Sequence, residues 1–261
     1  MKSKPYVGVT GPVTLEEVRQ VGQAFQDAGF NKNSKHTPMI GVLVSYKTLL
    51  GQPTQNRRYP AYGDVQTLLR EASQFGIPMI HYNSREKDTL DDQLDSILTG
   101  SEGLCEGVQL NIAWPDRIKL AKVRKIHPDI PFVIQLSHGA MDGLSAEQIA
   151  QKLKEYESLA NYTLIDPSGG KGKEFDLNHS LKIYEAIRSH VPKTMVGFAG
   201  GFRGDNVAQT TRTLVDLLGT SDFCIDAEGG LRDRVTDNYG DDTLNIGKVK
   251  HYLDQAATVL N

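Results

Sequence analysis

Short apolar runs alternate with longer segments of three- and four-residue apolar spacing along the whole chain. The runs at 6–10, 39–45, 78–82, 107–110, 131–137, 162–166, 194–199 and 222–226 read as strands. The stretches at 14–28, 64–75, 90–98, 117–126, 146–159, 178–189 and 205–218 read as amphipathic helices, and 244–259 adds one more after the last strand. Local start signals agree. Thr14-Leu15-Glu16-Glu17 has the form of a capping box, Ser145 precedes Ala146-Glu147-Gln148, and Asp205 opens a helix behind Gly204. Strands recur about every 31 residues, the size of one strand–helix unit. Ile40-Gly41-Val42-Leu43-Val44 and Phe132-Val133-Ile134 are nearly continuous apolar runs, as expected of parallel strands covered on both faces. Eight such units predict an α/β fold, a single (β/α)8 TIM barrel, with an open doubly wound sheet as the alternative.

Composition supports one globular unit. Of 261 residues, 39% are hydrophobic and 23% charged, enough for a sizeable core and too little charge bias for disorder. No linker or composition shift marks a second domain, so residues 1–261 are expected to form one barrel. The net charge of −3, with 29 Lys and Arg spread along the chain, argues against a nucleic-acid partner. No apolar run approaches the ~18 residues of a membrane span, and Met1-Lys2-Ser3-Lys4 does not read as a signal peptide. Cys105 and Cys224 lie far apart without metal-ligand spacing, which predicts neither a disulfide framework nor a zinc knuckle. A cytoplasmic monomer or homodimer is expected.

Candidate chemistry gathers behind the strands. Glycine clusters follow strand six (168–173), strand seven (Gly200-Gly201) and strand eight (Gly229-Gly230). Glycines let backbone N–H groups close around an anion, and in barrels the loops after strands seven and eight frequently hold phosphate. Tight strand-to-helix turns are the plainer role for the same residues. The strand-six cluster lacks the first glycine and the final Ser or Thr of a P-loop, and no G-x-G-x-x-G follows an early strand, so nucleotide binding is disfavoured. Asp166 ends strand six, where a carboxylate serves either acid–base chemistry or the capping of the next loop. His81 and His138 also sit near strand ends, without a second ligand at metal-binding spacing. Cys224 reads as a core residue, Trp114 as a packing residue before Pro115, and Arg232-Asp233-Arg234 as a solvated loop. The irregular segment 46–63, carrying Arg57-Arg58, would form a long loop at the carboxyl-end face and reads as an active-site lid.

These residues resemble a known family. Leu164-Ile165-Asp166-Pro167-Ser168-Gly169-Gly170-Lys171-Gly172-Lys173-Glu174-Phe175-Asp176 resembles the strand-six signature of phosphoribosylanthranilate isomerase. The resemblance continues through Ala199-Gly200-Gly201 with Asp205-Asn206-Val207 and through Ile225-Asp226-Ala227-Glu228-Gly229-Gly230. It extends upstream, more weakly, to Val108-Gln109-Leu110, Arg58-Tyr59 and Tyr6-Val7-Gly8-Val9-Thr10. It implies a barrel that performs an Amadori rearrangement of a phosphorylated aminoaldose, in tryptophan biosynthesis, without a cofactor. Asp166 would be the general acid on the ring oxygen, Arg58 would meet the anthranilate carboxylate, and Gly200, Gly201, Gly229 and Gly230 would hold the phosphate.

The chain departs from that pattern at two strands. The family's cysteine base on strand one is replaced by Val7, expected to face the barrel mouth, and its fourth-strand histidine by Asn111. Glu228, just past strand eight and beside strand one in a closed barrel, is the nearest substitute base. The expected function is therefore a metal-free, cofactor-independent isomerase acting on a small phosphorylated substrate, with Asp166 and Glu228 as its catalytic pair. A lyase or epimerase on another phosphorylated compound, using His81, His138 or Lys47, is one alternative. A non-catalytic phosphate-ligand-binding barrel is the other.

Overall fold

The computed structural model describes residues 3–167 and 176–261. The glycine cluster expected after strand six, at 168–173, lies outside them. Strand β1 (Tyr6–Thr10) leads to helix α1 (Leu15–Asp27). β2 (Thr37–Ser45) leads to a single turn, α2 (Tyr46–Leu49), and then α3 (Tyr62–Ala72). β3 (Ile77–Asn83) precedes α4 (Leu90–Gly100), and β4 (Val108–Leu110) precedes α5 (Arg117–Ile126). β5 (Phe132–Ser137) is followed by the short α6 (His138–Met141) and by α7 (Ala146–Lys154). β6 (Tyr162–Asp166), α8 (Leu177–His190), β7 (Met195–Ala199) and α9 (Gly204–Leu218) continue the alternation. After β8 (Cys224–Ala227) come a small hairpin, β9 (Arg232–Arg234) with β10 (Asp242–Leu244), and then α10 (Ile246–Leu260). The eight strands pair in sequence order, all parallel, and β1 pairs with β8. The fold is a single (β/α)8 barrel.

Local chemistry starts the helices where the pattern predicts. Thr14 Oγ1 accepts from the Glu17 N–H at 3.1 Å, while Glu17 accepts from the Thr14 N–H. Ser145 and Gln148 close the same reciprocal box. Such a cap is worth about 1 kcal/mol.

Strand alternation divides the core in two. Tyr6, Met39, Met79, Val133, Tyr162, Leu164, Ala199 and Cys224 pack together inside the barrel. Val7, Val9, Ile40, Val42, Ile80 and Ile225 pack outward with Val18, Phe25, Leu68 and other helix residues. This corrects the expectation for Val7, which faces the helices and not the mouth. The inward positions of β1 are Tyr6, Gly8 and Thr10. A side chain at Gly8 would stand 2.7 Å from Asp226 Oδ1, so glycine there makes room for that carboxylate. A second correction concerns Arg232-Asp233-Arg234. This run forms β9, and Arg232 is buried, bonded to Asp242 Oδ1 at 3.2 Å and to the carbonyl of Gly11.

Candidate functional site

The carboxyl ends of the strands open into a narrow cleft. Two of its walls come from expected residues: Asp166 at the end of β6, and Gly200, Gly201, Glu228 and Gly229 after β7 and β8. Its floor comes from inward residues of the central strands, His81, Gln109 and Gln135, and from Asp226 on β8.

Asp166 is buried, and its Oδ2 accepts from Gln135 Nε2 at 2.6 Å. Asp226 is also buried and accepts from the Thr10 hydroxyl at 3.0 Å. Its pKa is pushed up to about 8, chiefly by loss of water, against the Thr10 hydrogen bond and with the charges of Glu228 and Asp166 adding to the rise. Two buried carboxyl groups thus line one cleft in different surroundings, Asp166 beside an amide donor and Asp226 beside a hydroxyl.

Glu228 and Arg58 come together. Glu228 Oε1 accepts from Arg58 Nη1 at 2.7 Å, and Asp242 on β10 receives Arg58 Nε at 3.0 Å on each oxygen. Arg58 Nη2 also reaches Asp242, and the guanidinium carbon stacks 4.7 Å from the Tyr239 ring centroid. Burial opposes the charge on Arg58, but Asp242 and Glu228 outweigh it and hold its pKa above the usual value. Glu228 lines the cleft, whereas Arg58 stands behind it. The backbone N–H of Arg57 donates to the carbonyl of Gly240 at 2.8 Å, so the segment 46–63 is tied to the β9–β10 hairpin.

The glycines hold conformations that other residues resist. Gly200 and Gly201 have φ of 94° and 92°, in the left-handed region. Asn206, in the first turn of α9, donates to the carbonyl of Gly201 at 2.9 Å and accepts from the Arg203 N–H at 2.9 Å. Gly230 touches the neighbouring loop so closely that a Cβ would lie 2.3 Å from the carbonyl oxygen of Phe202. The turns after β7 and β8 therefore pack directly on one another at the cleft edge.

His81 is buried at the floor, and loss of water lowers its pKa to about 3, so its ring is neutral. His138 and Lys47 are exposed, at the start of α6 and within α2. Asn111 follows β4 and accepts from Gln109 Nε2 at 3.0 Å. Among the described residues no cluster of three or more His, Cys, Asp or Glu is placed to hold a metal, and no helix is long and apolar enough to cross a membrane. Sequence reasoning gave Asp226 no role, although a carboxylate at a barrel strand end was the signal that singled out Asp166 on β6. Asp242 carried no signal, because its partners are 184 and 10 residues away.

The fold and cleft define a (β/α)8 barrel with an acidic carboxyl-end mouth. Superposition on solved structures agrees with that class. Phosphoribosyl anthranilate isomerase from Thermotoga maritima aligns with a TM-score of 0.63 at 17% identity, covering 97% of this chain and 99% of that one. TrpF from Jonesia denitrificans aligns at 0.59 and 15%, covering 98% of each chain. A Rubisco-like protein from Rhodopseudomonas palustris also reaches 0.59, at 11%, covering 99% of this chain and 64% of that one. These likenesses establish the fold alone. No family model matches the sequence, and no curated protein matches it.

Proposed function

We propose that the cleft is the active site of an isomerase that interconverts aldose and ketose forms of a small phosphorylated compound by proton transfer. The observation that carries the reading is the pair Asp166 and Asp226, two buried carboxyl groups in one cleft, the first held by the Gln135 amide and the second by the Thr10 hydroxyl with its pKa pushed up to about 8. Asp226, protonated at neutral pH, donates to the ring oxygen and opens the sugar. Asp166, oriented by Gln135, accepts the proton from carbon two, and the resulting enol or enamine tautomerises to the ketose. This exchanges the role that the family resemblance implies for Asp166 and places the second group on β8 itself.

Glu228 then serves as the partner of Arg58. To accept a proton it would have to give up a charge-assisted hydrogen bond of 2.7 Å. Gly200, Gly201, Gly229 and Gly230 would hold the phosphate through backbone N–H groups, and the segment 46–63 would be the active-site loop. The whole chain would act as one catalytic unit on a free metabolite in the cytoplasm.

The test is an assay of aldose–ketose interconversion over a panel of phosphorylated aldoses, phosphoribosylanthranilate included, with deuterium exchange at carbon two as a second readout. Turnover lost in both Asp166→Asn and Asp226→Asn supports the reading. Absence of turnover and exchange across the panel, with no binding of inorganic phosphate, defeats it.

A further inference from the structure

We propose that the floor of the cleft is built to receive adjacent hydroxyl groups, so that the substrate is a polyhydroxylated sugar phosphate and not an aromatic conjugate. The inference rests on reading the cleft as the substrate site, and it names the chemistry that site accepts.

Six of the eight strands place a hydrogen-bonding side chain at this level: Thr10, His81, Gln109, Gln135, Asp166 and Asp226. The apolar side chains lining the cleft are Leu164 and Ala199, too little surface to cover an aromatic ring. Two floor groups are incomplete. His81 Nε2 and Gln109 Oε1 are both buried and have no hydrogen-bond partner among the described residues. Buried polar atoms are nearly always paired, so two orphans side by side point to something that binds there. The β3–β4 register makes His81 and Gln109 direct neighbours. Gly41 on β2 packs so closely against the imidazole that a Cβ there would lie 2.8 Å from Nε2, so glycine is what lets the ring sit at the floor.

The hydrogen-bond chain decides what kind of partner fits. The Thr10 hydroxyl donates to Asp226, so its oxygen is left to accept, and His81 Nδ1 stands 3.5 Å from it. We assign the neutral ring's single proton to Nδ1, the nitrogen that faces the Thr10 oxygen, which makes Nε2 an acceptor. Gln109 spends its amide N–H₂ on Asn111 Oδ1 and turns its carbonyl oxygen to the cleft. Two neighbouring acceptors require two neighbouring donors. Vicinal hydroxyls supply them. A carboxylate supplies acceptors only and would be repelled.

The test measures equilibrium binding of inorganic phosphate, ribose 5-phosphate, phenyl phosphate and unphosphorylated ribitol to the full chain and to Gln109→Leu and Gln109→Met. Ribose 5-phosphate should bind more tightly than phosphate or phenyl phosphate, by about tenfold for each hydroxyl contact. Both Gln109 variants should lose that advantage and keep their affinity for inorganic phosphate. Equal or tighter binding of phenyl phosphate, or an advantage that survives both variants, overturns the inference. Ribitol binding that is lost in the variants, with no phosphate binding at all, supports the hydroxyl floor and defeats the phosphate reading. Failure of every ligand to bind defeats both.

Discussion

Arg58 and Glu228 are 170 residues apart in the chain and meet in a 2.7 Å ion pair at the rim of the cleft. Asp242 holds the other edge of the same guanidinium and also pairs with Arg232, so two arginines and two acids, one from the connection after β2 and three from the connection after β8, form one network. The network joins the loop after β2 to the hairpin after β8. It is the structural link between the segment 46–63 and the connection that follows the strand carrying Asp226.

The two acids of that network should differ in what they contribute. Asp242→Asn leaves Arg58 and Arg232 facing a neutral partner in a buried place and should cost about 3–5 kcal/mol of stability. Glu228→Gln removes a more exposed partner and should cost about 1 kcal/mol or less. Chemical denaturation of the two variants checks the ranking. If Glu228 positions Arg58 and moves no proton, turnover of Glu228→Gln should stay within about tenfold of wild type, short of the ~10²–10⁴ that a proton-transfer group supplies.

Asp226 should make the protein less stable as pH rises. Its folded pKa of about 8 lies above the ordinary value of 3.8, so the folded state keeps a proton that the unfolded chain releases. Its stabilising contribution is complete below the unfolded value and is lost as pH climbs through the folded one. Asp226→Asn keeps the shape and removes the titration. The melting temperature of the variant should exceed that of wild type by an amount that grows between about pH 4 and pH 8. Parallel melting curves across that range would show that Asp226 is not protonated in the fold. Turnover should fall in the same variant.

Asp166→Asn should leave the melting temperature nearly unchanged and lower turnover by about 10²–10⁴-fold. Gln135→Leu should lower turnover less, because the carboxylate remains and only its orienting donor is lost. A variant at Asp166 that unfolds the barrel would assign that residue to capping the β6 loop.

Val7→Cys should produce no gain of isomerase activity. Val7 is fully buried and packs towards the helices, so a thiol there lies in the outer core, away from the cleft. It should also resist labelling by thiol reagents in the folded protein, since a buried thiol stays protonated and unreactive. Rapid labelling with increased turnover would show that β1 turns the other face to the mouth.

The alternation of apolar runs with helical periodicity determined the strands, the helices and the closed parallel barrel, because those patterns reflect interactions local to each element or common to any covered parallel sheet. It also placed Asp166 and the glycine turns after β7 and β8 at the mouth, since a strand's end fixes which face of a barrel its last residue reaches. The facing of β1 was not legible. Val7, Gly8, Val9 and Thr10 offer no polar alternation, and what turns Gly8 and Thr10 inward is the need of Asp226 on β8 for space and a hydroxyl donor. The hairpin after β8 was hidden for a similar reason. Arg232 reads as solvated until Asp242 and the Gly11 carbonyl are brought against it. Tertiary structure decided which polar groups lose their water and which neighbours they then face, and through that it set the raised pKa of Asp226, the pairing of Glu228 with Arg58 and the unpartnered polar atoms of His81 and Gln109. These depend on contacts between strands and loops far apart in the chain, and no local pattern encodes them.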